Sequence, residues 1–453
     1  MVLEKSIYLG PFVHSKTLKD LDICTTGAIG VDEHGKIAFI DRNASLSNYS
    51  PSDSAWSTAK IVSIPDAGFF FPGFIDTHTH APQYPNAGIF GSSTLLNWLE
   101  TYTFPTESSF SSLPTAQRIY TRVVSRLLSH GTTTAAYYAT THVPSTNLLA
   151  DICLAKGQRA FVGRVCMDQL SPPYYRDASP ESAVKDTEAC LAHIRSIDPS
   201  NALISSIVTP RFAPSCSADV LARLGALAAQ TGAPIQTHIS ENKDEIALVK
   251  EMFPHSKSYA DVYDTAGLLT PRTILAHAVH LSADEVNLIR ERGAKISHCP
   301  CSNTCLTSGA APVREMLDAG LEIGLGTDVS GGYSPSILEE VRQAVLVSRH
   351  VTMGKGDEAK LSVAEALFLA TRGGARVVGL EDRVGGFEVG MEWDAQMVSL
   401  ATVGEEGEMS AEVGPVDIFG EESWENKVAK WVFNGDDRNT KNVWVKGRLV
   451  HSR

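Results

Sequence analysis

The 453-residue chain has no apolar run approaching the roughly 20 residues that cross a bilayer as a helix. It has no surplus of positive charge either. Its 39 Lys and Arg stand against 52 Asp and Glu, a net charge of −13, which argues against a nucleic-acid backbone or an anionic membrane as partner. The opening MVLEKSIYLGPF lacks a basic stretch followed by a long apolar core, so no secretory signal is expected. The closing His451-Ser452-Arg453 matches no lipidation or retrieval tag. The eight cysteines have no regular spacing and read as reduced thiols, which implies a cytoplasmic protein. No GxGxxG follows an early strand and no repeat of solenoid period is visible, which counts against a dinucleotide-binding open sheet and a repeat array.

What is present falls into three stretches. Residues 1–70 read as short strands and turns, with Asp32-Glu33-His34-Gly35 as a hairpin turn and 43–60, rich in Ser, Asn and Pro, as a surface loop. From 71 to about 380, strand patterns alternate with amphipathic helices. The strands are expected at 74–80, 132–139, 160–167, 203–212, 234–239, 273–280, 294–298 and 321–328. Between the first two, 115–130 carries an apolar face (Ile119, Val123, Val124, Leu127, Leu128) and stops at Gly131. Ser282 and Glu285 form a capping box for a helix that ends at Gly293. Eight β-then-α units most naturally close into a (β/α)8 TIM-type barrel, with a doubly wound open sheet as the alternative. Strands return in 381–453, at 395–400, 430–433 and 443–445, with a hairpin near Gly447 and an acidic loop over 405–422. The two flanking stretches are expected to pair into one small β-sandwich domain beside the barrel, in an α/β protein overall.

The chemistry begins at Phe71–Tyr84, FPGFIDTHTHAPQY. In a strand, His78 and His80 point to one face, and two imidazoles aimed at one point at a strand end can start a transition-metal site. Barrels place reactive groups at the C-terminal ends of their strands. Those ends offer His78 and His80, then Arg211 and Phe212, His238 with Glu241 close behind, His277, and Asp328 in GLGTDVSGG. Three histidines and an aspartate make a mixed N/O set that suits a divalent ion such as Zn²⁺. Taken singly, a strand-end histidine is more often hydrogen-bonded structure, Asp328 before a Gly-Gly turn is ordinary, and Glu241 in SENKDE fits a solvated helix start. Their joint arrival at one rim is what favours a site. His298-Cys299-Pro300-Cys301 with Cys305 has the wrong spacing for the PCxxC of cytidine-type deaminases and no HxE upstream, so these thiols read as incidental. Residues 202–212 contain no lysine to bridge a second ion, so one metal per chain is expected.

The order HxH, H, H, D, opened by PGFIDTHTH, resembles the amidohydrolase superfamily of metal-dependent hydrolases over most of the chain. THAPQY, LLNWLETYTFP, TPRF, QTHISEN, AHAVHLS and GLGTDVSGGYS together resemble its guanine deaminase family. That resemblance implies a zinc held by His78, His80, His238 and Asp328, and hydrolysis of guanine to xanthine and ammonia, a step of purine catabolism. It implies that Gln83, Arg211 and Phe212 contact the purine, that Trp98 and Leu99 wall the pocket, and that the protein is a homodimer. Glu241 would move protons, His277 would orient the attacking water, and Asp328 would serve as ligand and proton acceptor. Arg211 suits the O6 carbonyl as a fork of donors, and Gln83 brings one donor and one acceptor; Arg211 as a structural ion-pair partner is the plainer alternative. The rival functions are deamination of a modified purine such as 8-oxoguanine, a chlorotriazine-type hydrolase, and a metal-free scaffold.

Overall fold

The computed structural model describes residues 3–453 apart from 48, 52, 65, 66 and 411–413. The alternation in the middle of the chain builds parallel strands at Phe74–His80, Thr132–Tyr138, Arg159–Gly163, Ile204–Ser206, Ile235–Ile239, Thr273–His277, Lys295–His298 and Ile323–Leu325. They pair as two arcs of four. Backbone hydrogen bonds join the arcs. Val208 donates to Pro234 O (2.9 Å), and Gln236 donates to Val208 O (3.0 Å). On the other seam Asp328 donates to His78 O (2.8 Å) and His80 to Val329 O (3.1 Å), so the ring closes where two expected site residues meet. The third and fourth strands break and resume as Val165–Cys166 and Thr209–Pro210, again parallel, which carries Arg211 to the rim.

The helices follow their sequence signals. Leu113–Ser129 buries Val123, Val124, Leu127 and Leu128, the expected face, and Ser112 caps it by accepting from Thr115 N. It starts two residues earlier than the periodicity indicates because Pro114 is at home in a first turn. The reciprocal Ser282–Glu285 capping box is present, and Gly293 ends that helix in the left-handed region.

Both ends of the chain contribute to one eight-stranded sheet. Ser6–Ser15 and Leu21–Val31 form a long antiparallel pair, longer than the short strands expected from sequence. Phe69–Pro72 runs antiparallel to Ala395–Val398, which is itself paired with Thr440–Val445. Tyr8, Phe12, Phe70, Trp393 and Trp444 fill its aromatic core. Only Gly73 separates the sheet strand Phe69–Pro72 from the first barrel strand, and a Cβ there would lie 2.2 Å from Thr133 side-chain atoms. A second tie is ionic. Buried Arg159, at the start of the third barrel strand, meets Glu392 at 2.6 Å and Asp394 at 3.2 Å.

Two sequence expectations fail here. Residues 430–433 are not a strand but lie in the helix Trp424–Asn434, capped by Ser423. Val428, Trp431 and Val432 are buried at helical spacing, and that face outweighs the local β-propensity. The stretch 43–60 is not all surface loop. It contains a 3₁₀ turn, Ser54–Trp56, that buries Trp56 against Phe39, and Lys60 begins a strand parallel to Ser6–Ser15. Residues 48 and 52 of that stretch, and 411–413 of the acidic loop, lie outside the described residues. Within the rest of that loop Asp417–Ile418 pairs with Ala401–Thr402. Among the described residues no helix is long and apolar enough to cross a membrane.

Candidate active site

Four side chains converge at the C-terminal rim. The donor atoms of His78, His80, His238 and Asp328 all lie within 4.8 Å of one another. His78 Nε2 is 3.1 Å and His80 Nε2 3.3 Å from Asp328 Oδ1, while the Nε2 atoms of His80 and His238 are 3.1 Å apart. The backbone around them is held in unusual shapes: Ser240, His277 and Asp328 all have positive φ. Gly326 lets the eighth strand approach the first, since a Cβ there would sit 2.7 Å from His78 Cβ.

The electrostatics favour a cation. His238 Nδ1 lies 2.6 Å from the carbonyl of Arg211, which can only accept, so the ring proton is on Nδ1 and Nε2 carries a lone pair. That lone pair faces His80 Nε2. Burial, together with the other imidazoles, holds His238 well below its ordinary pKa, and burial does the same to His80. Burial opposes ionisation of Asp328, but His78, His277 and His80 outweigh it and keep the carboxyl far below the usual range. Three buried imidazoles crowded around an ionised carboxylate are a donor set that fits a divalent metal.

Beyond the quartet stand His277 and Glu241. His277 donates Nδ1–H to Asn303 Oδ1 (2.9 Å), and its Nε2 lies 3.5 Å from Glu241 and 3.7 Å from Asp328. Burial pulls its pKa down, but those two carboxylates outweigh burial and raise it. Burial lifts Glu241 to about 7, and its Oε1 accepts from Ser308 Oγ at 3.1 Å. A carboxyl poised near neutrality beside a hydrogen-bond donor is equipped to take up and release a proton.

A pocket opens onto these groups. Gln83, Trp98, Leu99, Arg211, Phe212 and Glu241 line it, and Leu95 and Leu306 join them. His238, at 9% exposure, is the most accessible of the quartet and faces this space, whereas His78 at 1% lies behind it. Trp98 Nε1 is buried without a partner.

Several participants were invisible in the sequence. Glu107 is fully buried and accepts from both terminal nitrogens of Arg211, 104 positions away. Tyr138 packs against His78, His80 and His238 with ring centroids 4.6–4.9 Å apart. Ser308 and Asn303 come from the segment after the seventh strand. No spacing rule links any of them to the quartet. The plainer reading of Arg211 is thus half right, since it forms a buried ion pair and also lines the pocket. Cys301 and Cys305 sit on the short helix Pro300–Cys305, but Cys299 Sγ and a ring nitrogen of each of His78 and His277 lie within 4.8 Å of one another.

The chain is similar to known proteins over nearly its whole length. The pattern of the Amidohydrolase family matches residues 69–450. A probable guanine deaminase of Schizosaccharomyces pombe is 48% identical over 448 residues, 98% of this chain and 83% of that protein. The guanine deaminase of Homo sapiens is 42% identical over 450 residues, 98% of this chain and 96% of that one. The crystal structure of guanine deaminase from C. acetobutylicum, with guanine bound in its active site, superposes with a TM-score of 0.88 at 33% identity and covers 99% of this chain and all of that one. With a family pattern and near-full-length relatives both fitting a barrel that gathers His78, His80, His238 and Asp328 at its rim, this chain belongs to the amidohydrolase family, on the branch of the guanine deaminases.

Proposed function

We propose that the protein hydrolyses guanine to xanthine and ammonia, with one zinc per chain. The observation that carries this reading is the convergence, in one pocket, of a metal-fitting quartet, a buried carboxyl and two amide-reading side chains. Its near-full-length similarity to guanine deaminases supports the same substrate.

His78, His80, His238 and Asp328 would hold the ion. Bound there, it supplies Lewis acidity that makes water a competent nucleophile near neutral pH. Glu241 takes a proton from the attacking water as oxygen bonds to C2, and passes it to the adjoining ring nitrogen. The proton of the new C2 hydroxyl then goes, by way of Asp328, to the exocyclic nitrogen, so that ammonia leaves as the C2–N bond breaks and the C2=O of xanthine forms. His277, anchored by Asn303 and facing both Glu241 and Asp328, orients the water. Asp328, a ligand on one side, accepts a proton on the other.

Recognition falls to Arg211 and Gln83. The guanidinium donates to O6 of the base, and the amide of Gln83 pairs with a ring edge. Phe212, Trp98 and Leu99 enclose the flat ring. An amino group at C6 would meet Arg211 donor to donor and leave buried groups unpaired, which disfavours adenine strongly. The 381–453 and 1–70 stretches act as one small domain flanking a 71–380 barrel. A cytoplasmic setting accords with eight free cysteines. A homodimer rests on family resemblance and is tested by light scattering.

The deciding experiment measures ammonia release from guanine, adenine, cytosine and 8-oxoguanine, with elemental analysis of the same sample. Release from guanine alone, with zinc that disappears in His238→Ala, is the expected result. Zinc present with guanine inert would overturn the substrate, and neither metal nor activity would restore the scaffold reading.

A further inference from the structure

Behind the pocket wall, outside the metal quartet, lies Glu107, at 0% exposure. Its carboxylate accepts four hydrogen bonds. Arg211 supplies two, Nη1 to Oε2 at 2.7 Å and Nη2 to Oε1 at 3.1 Å. Gln83 Nε2 supplies a third at 2.8 Å, and the Tyr175 hydroxyl a fourth at 2.7 Å. A buried carboxylate and a buried guanidinium are each costly alone, and here each compensates the other.

The consequence lies in what remains free. A bidentate pair fixes the plane of the guanidinium, so the N–H groups Arg211 does not spend on Glu107 have set directions. Gln83 is held at both ends, since its Oε1 accepts from Ser330 N at 3.3 Å while its Nε2 is tied to Glu107. Charge is fixed as well as direction. The pair is neutral overall, so an anionic ligand gains no net Coulombic attraction at this end of the pocket.

We propose that Glu107 is a positioning residue that aims Arg211 and Gln83 and cancels the charge of Arg211, so that the pocket selects a neutral oxopurine over an anionic one. This rests on the reading of Arg211 and Gln83 as base contacts. It extends that reading, because a residue that never touches the base becomes a determinant of which base binds.

The test compares the zinc-loaded full-length protein with E107Q, R211Q and the double variant. E107Q is expected to raise KM for guanine by about 10- to 100-fold while kcat stays within about threefold, since charge-assisted bonds that set binding are lost. Urate, an oxopurine anionic at neutral pH, should then inhibit more strongly, by about tenfold or more, as the guanidinium loses its counter-charge. Because Glu107 reaches the base through Arg211 and Gln83, the double variant should be worse than R211Q by clearly less than the full E107Q effect. An unchanged KM in E107Q, an unchanged response to urate, or full additivity in the double variant would overturn the proposal. If R211Q itself leaves KM unchanged, the base-contact reading has failed and the proposal falls with it. Should E107Q not fold, Tyr175→Phe keeps the carboxylate and both recognition partners. A KM rise of about two- to tenfold at an unaltered melting temperature supports the proposal, and an unaltered KM rejects it.

Discussion

The main-chain carbonyl of Arg211 accepts the Nδ1 proton of His238 at 2.6 Å. One residue therefore serves two parts of the site, with its side chain lining the pocket and its backbone setting the tautomer of a histidine in the donor quartet. The contact exists because the fourth strand resumes at Thr209–Pro210 and delivers Arg211 beside the fifth strand, Ile235–Ile239. Second contacts of this kind orient ligand histidines and raise their basicity.

Chelating the metal is expected to abolish ammonia release and lower the melting temperature, because the crowded donors of the quartet then face one another without a cation. Added zinc should restore both. His238→Ala should lose more metal affinity than the roughly 10- to 100-fold typical of losing an outer partner. Calorimetry with elemental analysis decides. Full activity in verified metal-free protein would reject the site.

Glu241→Gln keeps the shape of the side chain and removes its proton chemistry. The expected loss in kcat is about 10²- to 10⁴-fold with metal content intact. Ser308→Ala, which removes only the hydrogen bond to Glu241 Oε1, should cost far less. Steady-state kinetics of the two variants would expose a Glu241 that is merely structural by returning similar rates.

Gly326→Ala drives a methyl group to 2.6 Å from Ser297 Oγ and 2.7 Å from His78 Cβ. Overpacking of this sort costs about 1–3 kcal/mol. Since the strain falls on a ligand, metal affinity should drop together with stability. Denaturation that shifts while zinc binding holds would show the ligand to be insulated from the strand.

Arg159→Met leaves Glu392 and Asp394 buried with a lost partner, at a cost of about 3–5 kcal/mol. The pair lies away from the pocket, so kcat per folded molecule should not move. Urea titration combined with activity separates the two effects. A large kcat change would mean that the sheet communicates with the rim.

His14 gives a pH signature. Burial, and next the charge of Arg372, depress its pKa from 6.5 to about 4, against the opposing pull of Asp22. The folded protein therefore binds this proton less readily than the unfolded chain. The stability conferred by the neutral ring is complete above about pH 6.5 and is lost as pH falls from there through about 4. Over that window the wild type should lose up to about 3 kcal/mol more than His14→Gln. Parallel stability–pH curves for the two would refute it.

The chain read in one dimension revealed what depends on short spacings. Period-2 and period-3.6 patterns placed the barrel strands and the Leu113–Ser129 helix, and HxH placed two histidines on one face. The expectation of a strand at 430–433 failed because four residues are too short a window. The buried stripe Val428, Trp431, Val432 becomes apparent only over the eleven-residue helix. Trp56 was hidden for the opposite reason, being a single apolar residue in a polar stretch that covers another strand's aromatic ring.

The sequence by itself determined the donor types, their order along the barrel and the lack of a lysine to bridge a second ion, because those follow from residue identity and strand-end position. Only the tertiary structure decided which groups touch. Glu107 meets Arg211 across 104 positions, and Asp328 meets His78 across 250. Such pairings are set by closure of the ring and by the kink that brings Arg211 to the rim, and they leave no periodic trace in the chain. Local spacing encodes direction, while long-range packing encodes distance, and a recognition site requires both.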